Sequence, residues 1–316
     1  MRAGLTLERT SGHDPAIVRP ARRSEVFCAG TAAGRGVNGK WDIMKPLRPG
    51  DPSRLGGFRI LGRLGEGGQG VVFFGEAGDG NPVAVKVMHR GGDERARARF
   101  AREAATAQRV ANFCTAAVLA ADVDGERPFI VCEYIAGPSL RDLVRRWGPR
   151  HAGELDRLAL GTATALAAIH HAGVVHRDFK PSNVLIGPDG PRVIDFGVAR
   201  VLGASTSATS QVIGTPSYMA PEQFFGVRAG PPADMFAWAT TMAFAANGSP
   251  SFGDDTPPAV MQRILNEDPA LGRLTGRLRA LAAACLAKDP ALRPNAGQVM
   301  CDLPAAAGPQ CAFTPG

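Results

Sequence analysis

A chain of 316 residues, 45% of them hydrophobic, can bury a substantial core as one two-lobed unit or as two domains. Its formal charge of +7 is spread through Arg-bearing stretches and the N-terminal segment, which reads as a solvated surface rather than a nucleic-acid-binding patch. The six cysteines (28, 114, 132, 285, 301 and 311) include no C-x-x-C pair, against a zinc or disulfide framework, and no apolar run reaches the roughly 18 residues of a membrane span.

Residues 1–50 are rich in Gly, Arg, Ser and Pro without sustained periodicity, and Glu8, Arg9 and Asp14 break up any signal-peptide core. The expectation is a disordered leader over 1–57, of which 1–43 is not made natively if Met44-Lys45-Pro46 is the true start.

Next comes Leu64-Gly65-Glu66-Gly67-Gly68-Gln69-Gly70-Val71-Val72. A G-x-G-x-x-G string alone fits a dinucleotide-binding turn or a plain hairpin. The β-branched and aromatic run Val71 to Phe74 makes it a strand–strand loop, and such a hairpin can lay backbone N–H groups over phosphates. Val83-Ala84-Val85-Lys86-Val87 is an apolar strand interrupted by one of only five lysines in the chain. An unpaired buried ammonium is costly, so Lys86 either snorkels from an edge strand or is paired. Residues 93–110 read as a helix opened by Asp93 and Glu94. On it Glu103 lies beside the apolar stripe, flanked by Phe100 and Ala107, or else serves as a solvated partner of Arg99. Residues 127–137 read as a strand running into a Gly-containing connector.

Two further strings carry chemistry. His176-Arg177-Asp178-Phe179-Lys180-Pro181-Ser182-Asn183 puts an Asp, a Lys and an Asn on one short loop, and Asp195-Phe196-Gly197 follows a strand. A carboxylate to orient a hydroxyl, a cation to neutralise charge and two oxygen ligands for metal are the equipment of phosphoryl transfer. Beyond them lies a Ser/Thr-rich stretch, 198–217, closed by Met219-Ala220-Pro221-Glu222. Two short apolar runs, Trp238 to Ala246 and Leu278 to Leu286, read as buried helices.

Taken in order, these strings resemble the protein kinases, and over about Phe58 to Leu303 the chain looks like a bacterial serine/threonine kinase of the eukaryotic-like type. The resemblance implies an α+β, bilobal fold: a small β-rich N-lobe with one regulatory helix (58–135), a larger helical C-lobe (136–303) and a disordered tail (304–316). In that pattern Gly65, Gly67 and Gly70 cover the phosphates of ATP, with Val72 and Ala84 against the nucleotide. Lys86, held by Glu103, grips the phosphates. Backbone groups near Glu133 and Ile135 meet the adenine edge, with Cys132 at the back of the pocket. Asp178 is the base, Lys180 steadies the transferring group, and Asn183 and Asp195 bind Mg2+. Gly214-Thr215-Pro216 is the peptide-docking turn, where Thr215 contacts Asp178 and Lys180. Lys180, two residues after Asp178, favours serine and threonine acceptors over tyrosine. Ser207 and Thr209 match activation-loop phosphosites, with Arg177 as the receiving cation. Asp234 braces the catalytic loop, and Arg293 pairs with Glu222.

The implied partners are proteins bearing Ser or Thr, and a homodimer that autophosphorylates in trans. No membrane span, nucleic acid or external sensor is expected, and the reduced thiols suit cytoplasm. Two rivals share parts of the pattern. A pseudokinase would serve as a binding or scaffold module, but usually loses a residue equivalent to Lys86, Asp178 or Asp195. A small-molecule phosphotransferase would lack Lys180 and the docking segment from Gly214 to Glu222.

Overall fold

The structure is a computed structural model that describes residues 44–67, 70–88, 115–122, 125, 127–195, 216–227 and 229–306. Its first part is an antiparallel six-stranded sheet: β1 (Arg54–Leu55), β2 (Phe58–Gly67), β3 (Gly70–Glu76), β4 (Pro82–Met88), β5 (Val118–Asp122) and β6 (Phe129–Glu133), in spatial order β1-β2-β3-β4-β6-β5. Alternation along the strands decides what faces where. On β4, Val83, Val85 and Val87 are buried, and they join Ile60, Val71, Phe73, Phe129 and Val131 in one apolar cluster. The intervening Ala84 and Lys86 point to the other face. There the register sets Lys86 between Val72 and Ile130, and Ala84 between Phe74 and Cys132. Thus Val85 and Val87 do not surround the lysine; they are on the opposite side of the sheet.

Gly70, where β3 begins, has a steric reason to be glycine. A Cβ there would lie 1.9 Å from the Val87 carbonyl oxygen, so any side chain would push β3 off β4. Order also extends further upstream than the composition suggested. Residues 44–57 lie along the sheet: Lys45 and Arg63 exchange backbone hydrogen bonds of 2.8 Å, Leu47 packs on the apolar cluster, and β1 pairs with β2. A short apolar anchor and a strand pairing suffice to order this Pro/Gly-rich stretch.

The second part is helical. Its described helices are α1 (Leu140–Trp147), α2 (Ala152–His171), α3 (Pro221–Phe224), α4 (Pro231–Asn247), α5 (Pro257–Asn266), α6 (Gly276–Cys285) and α7 (Ala296–Asp302), with a two-stranded ribbon of β7 (Val184–Gly187) and β8 (Gly190–Val193). The centre is α4, buried at every position from Ala233 to Ala246, as its near-unbroken apolar composition requires. Two prolines open it and Gly248, at φ 82°, closes it. Within this core Trp238 donates its indole N–H to Thr162 Oγ1 at 3.0 Å, and that hydroxyl donates to the Leu158 carbonyl at 2.7 Å. The ring is thereby buried without an orphaned donor. α6 differs from the reading of Leu278–Leu286 as wholly buried. Leu278, Leu281, Ala282 and Cys285 face inward, while Arg279, Ala280, Ala283 and Ala284 are exposed.

The two parts meet at the connector after β6. A Cβ on Gly137 would fall 1.9 Å from the Ile186 carbonyl oxygen, and the Ile186 N–H donates to the Pro138 carbonyl at 2.9 Å. The connector therefore lies directly on β7. α1 follows at once, N-capped by Ser139, whose Oγ accepts from the Asp142 N–H at 3.1 Å.

Candidate active site

The loop between α2 and β7 carries His176 to Asn183, and its shape is set from beneath by Asp234 in the first turn of α4. That carboxylate is 1% exposed and accepts three hydrogen bonds: from the His176 N–H at 2.7 Å, the Arg177 N–H at 2.7 Å and His170 Nε2 at 2.8 Å. A buried ion is tolerable when its lone pairs are used this fully. The grip also holds Arg177 in the left-handed region at φ 66°, costly for a non-glycine residue. The Arg177 Nε is buried with no hydrogen-bond partner among the described residues.

His176, entirely buried, joins this loop to the strand that follows. Its Nδ1 accepts from the Asp178 N–H at 3.4 Å and its Nε2 donates to the Ile194 carbonyl at 3.1 Å. A backbone N–H can only donate and a carbonyl only accept, so the ring is the neutral Nε2–H tautomer. Burial pushes the imidazole pKa down, outweighing the upward pull of Asp234, Asp178 and Asp195.

Asp178 lies one residue beyond the anchored peptide, part exposed. Its Oδ2 accepts from Lys180 Nζ at 2.6 Å and more weakly from Asn183 Nδ2 at 3.4 Å. Asn183 Nδ2 also donates to the Asp178 backbone carbonyl at 2.8 Å. This commits the Asn183 amide nitrogen and leaves Oδ1 as the acceptor of the pair. The Asn183 carbonyl accepts from the Ile194 N–H at 3.0 Å, which puts Asp195 one residue from that contact. Asp195 is itself held left-handed, at φ 58°.

From the sheet above, Lys86 Nζ reaches Asp195 Oδ1 at 3.2 Å, joining β4 to the segment after β8. Desolvation raises the Asp195 pKa, but Lys86, by charge and hydrogen bond, with Lys180 behind it, holds the carboxyl below its ordinary value. A cleft is thus lined from above by Val72, Ala84, Lys86 and Cys132 and from below by Asp178, Lys180, Asn183 and Asp195. At its back β6 ends at Glu133, whose N–H donates to the Ala117 carbonyl at 2.8 Å. Ile135 follows in the connector, buried. Tyr134 lies edge-on to Phe74, ring centroids 4.8 Å apart. Gly65 and Gly67 are at the open end of β2, with Gly65 opposite Val72.

Among the described residues no cluster of three or more His, Cys, Asp or Glu is built to hold a metal unaided. Asn183 Oδ1 and the Asp195 carboxylate are two hard oxygen donors, and they fit a Mg2+ ion that takes its remaining ligands from phosphate and water.

Below the cleft, Arg293, whose side chain is fully buried, forks onto both Glu222 oxygens at 2.8 and 2.9 Å. It also donates to the carbonyls of Pro232, Ala287 and Lys288. This ties α3 to the start of α4 and to the turn before α7.

Glu103, Ser207, Thr209 and Thr215 lie outside the described residues, as do Gly68, Gln69 and Phe196. Sequence reasoning missed His170 as a partner of Asp234. Its signal was a histidine four residues after buried Leu166, on the apolar stripe of α2.

Comparison with known proteins agrees with this geometry. The protein kinase domain family matches residues 58–303. The chain is 46% identical over 264 residues to the probable serine/threonine-protein kinase PkwA of Thermomonospora curvata, covering 83% of this chain and 36% of that protein. It is 41% identical over 257 residues to the serine/threonine-protein kinase AfsK of Streptomyces coelicolor, covering 80% and 32%. The chain spans about a third of the length of these curated relatives. Among solved structures, Rad53 1–466 in complex with AMP-PNP superposes with a TM-score of 0.67 at 23% identity, covering 78% of this chain and 64% of that one, a likeness of fold.

Proposed function

The chain belongs to the protein kinase family, in the company of the bacterial serine/threonine kinases, and from that premise we propose that it transfers the γ-phosphoryl group of ATP to Ser and Thr hydroxyls of proteins. One observation carries the reading. The Asp178 carboxylate, bound to Lys180 and Asn183 on an anchored loop, faces the same cleft as the Lys86–Asp195 contact. A part-exposed carboxylate beside a cation suits a hydroxyl that gives up its proton while a phosphoryl group arrives.

In this reading the backbone of Gly65, Gly67 and Gly70 covers the phosphates, while Val72, Ala84 and the connector at Glu133 and Ile135 hold the adenine. Lys86, released in part from Asp195, binds phosphate oxygens, with Glu103 as its second partner. Asn183 and Asp195 hold Mg2+, which supplies charge neutralisation on the phosphates. Asp178 orients the acceptor hydroxyl and takes its proton. Lys180 steadies the negative charge of the transferring group, and Thr215 contacts both. Most of the rate then comes from positioning and fixed charge.

Self-activation by phosphate on Ser207 or Thr209, received by Arg177 and placed in trans by a second copy, belongs to the same proposal. The buried Nε of Arg177, without a hydrogen-bond partner among the described residues, supports it. A cytoplasmic setting belongs to the same proposal, and among the described residues Cys285 and Cys301 form no disulfide, in keeping with it. No helix among the described residues is long and apolar enough to cross a membrane.

The test is phosphoamino-acid analysis after incubation with labelled Mg-ATP, a generic protein acceptor and an aminoglycoside. Phosphoserine and phosphothreonine are expected. Label confined to the small molecule would favour the phosphotransferase reading, and ATP binding without transfer the pseudokinase.

A further inference from the structure

Residues 44–51, upstream of the matched domain, make contacts that no step above uses. Arg48 and Asp51 close a turn on each other: the Arg48 N–H donates to Asp51 Oδ2 at 2.8 Å, and the Asp51 N–H to the Arg48 carbonyl at 3.0 Å. From that turn Asp51 takes a two-pronged grip on Arg63 of β2, Nε to Oδ2 at 2.8 Å and Nη2 to Oδ1 at 3.0 Å, with about nine-tenths of each side chain buried. The Arg63 hydrogen bonds hold the Asp51 carboxyl below its ordinary pKa, so the pair stays ionised at neutral pH. Arg63 also stacks over Phe73 of β3 at 5.7 Å, which fixes its plane.

The free arm of this buried arginine is directed toward the hairpin loop. Nη1 of Arg63 donates to Glu66 Oε2 at 3.0 Å, and Nη1 of Arg48 donates to the same oxygen at 3.1 Å. Glu66 stands between Gly65 and Gly67, where the backbone bends to cover phosphates. Glycines give that stretch freedom, and freedom there must be removed when a nucleotide binds. A carboxylate caught between two cations, one of them immobilised, restricts the limb beforehand.

We infer that residues 44–51 form a strap whose Asp51–Arg63–Glu66–Arg48 network pre-positions the ascending limb of the glycine-rich hairpin, making Asp51, Arg63 and Glu66 positioning residues for ATP. The inference rests on the kinase reading and assigns these residues no chemistry. Their effect falls on nucleotide affinity and on KM for ATP, not on turnover at saturation. The same hairpin provides a control in Arg59 and Glu76, an exposed ion pair at the end of β2 and β3 far from the glycines.

The experiment measures Mg-ATP affinity by titration calorimetry, and KM and kcat for phosphoryl transfer, on the full chain and three variants. Glu66→Gln, an exposed change, is expected to raise Kd and KM about threefold with kcat held. Asp51→Asn leaves the buried Arg63 without its counter-charge and is expected to raise them about tenfold. Arg59→Gln is expected to match wild type. Wild-type protein that binds no Mg-ATP would overturn both the kinase reading and this inference. Normal binding by wild type, with Glu66→Gln and Asp51→Asn indistinguishable from it, would overturn the inference alone. An equal loss in Arg59→Gln would do the same, by showing that any ion pair on the hairpin has this effect.

Discussion

Replacing Asp234 by Asn separates the anchoring of the loop from its chemistry. The wild-type carboxylate is 1% exposed and takes hydrogen bonds at 2.7, 2.7 and 2.8 Å from two backbone N–H groups and His170. Asparagine is nearly the same size but has one acceptor oxygen, and its NH2 must face at least one of these donors. Losing a charge-assisted hydrogen bond and stranding a buried N–H each costs about 1–3 kcal/mol, so a total near 3 kcal/mol is expected. For a domain of this size that corresponds to a fall in Tm of about 6–12 °C, at about 2–4 °C per kcal/mol. Turnover should suffer more than stability accounts for. This grip holds Arg177 at φ 66°, and once released its peptide relaxes and carries Asp178 with it. A displacement of about 1 Å at the base costs about 10²-fold in kcat, while Kd for Mg-ATP should stay within about twofold. Calorimetry and steady-state kinetics on well-folded protein at 15 °C give both numbers. A variant with lowered Tm but kcat within about threefold of wild type would refute the positioning argument.

Three further outcomes follow from other parts of the molecule. Glu222→Gln strands the fully buried Arg293 guanidinium, and should lower stability by about 3–5 kcal/mol in denaturant titration; an unchanged midpoint would contradict the buried-pair reasoning. His176 is neutral in the fold with a pKa below 6.5, so the unfolded chain binds a proton that the folded one refuses. Its contribution to stability is complete above about pH 6.5 and is lost as pH falls from there toward the lowered folded value, with a slope of up to about 1.4 kcal/mol per pH unit. A Tm–pH curve just as steep in His176→Gln would assign that slope to other groups. Cys285 is fully buried, its thiol pushed up by desolvation to about 12, so it should resist iodoacetamide at pH 8 under conditions that alkylate exposed Cys301, as peptide mass mapping would show.

The catalytic loop was legible because its chemistry needs particular side chains at short spacings, and Asp178, Lys180, Asn183 and Asp195 do converge. Asp234 and the Glu222–Arg293 pair were legible through resemblance, as scaffold that accompanies those spacings. The Asp51–Arg63–Glu66 network was not. Its members are ordinary charged residues, and only the fold brings a turn in a Pro/Gly-rich segment onto a strand twelve residues later. The same composition suggested a leader up to residue 57, since nothing local in Met44 to Gly57 reveals that Leu47 has an apolar cluster to cover. On α6 the misreading came from alanine, which counts as apolar yet loses little when left in water, so Ala280, Ala283 and Ala284 can face solvent beside Arg279.

The most direct measurement is phosphate transfer by the full chain and by Asp178→Asn, side by side, with Mg-ATP affinity measured on both. The account predicts phosphate on Ser or Thr of the chain itself or of an added protein with wild type, and a loss of at least about 10³-fold in the variant, with ATP bound equally well by both. Equal transfer by both proteins, or ATP bound by wild type without any transfer, would contradict it.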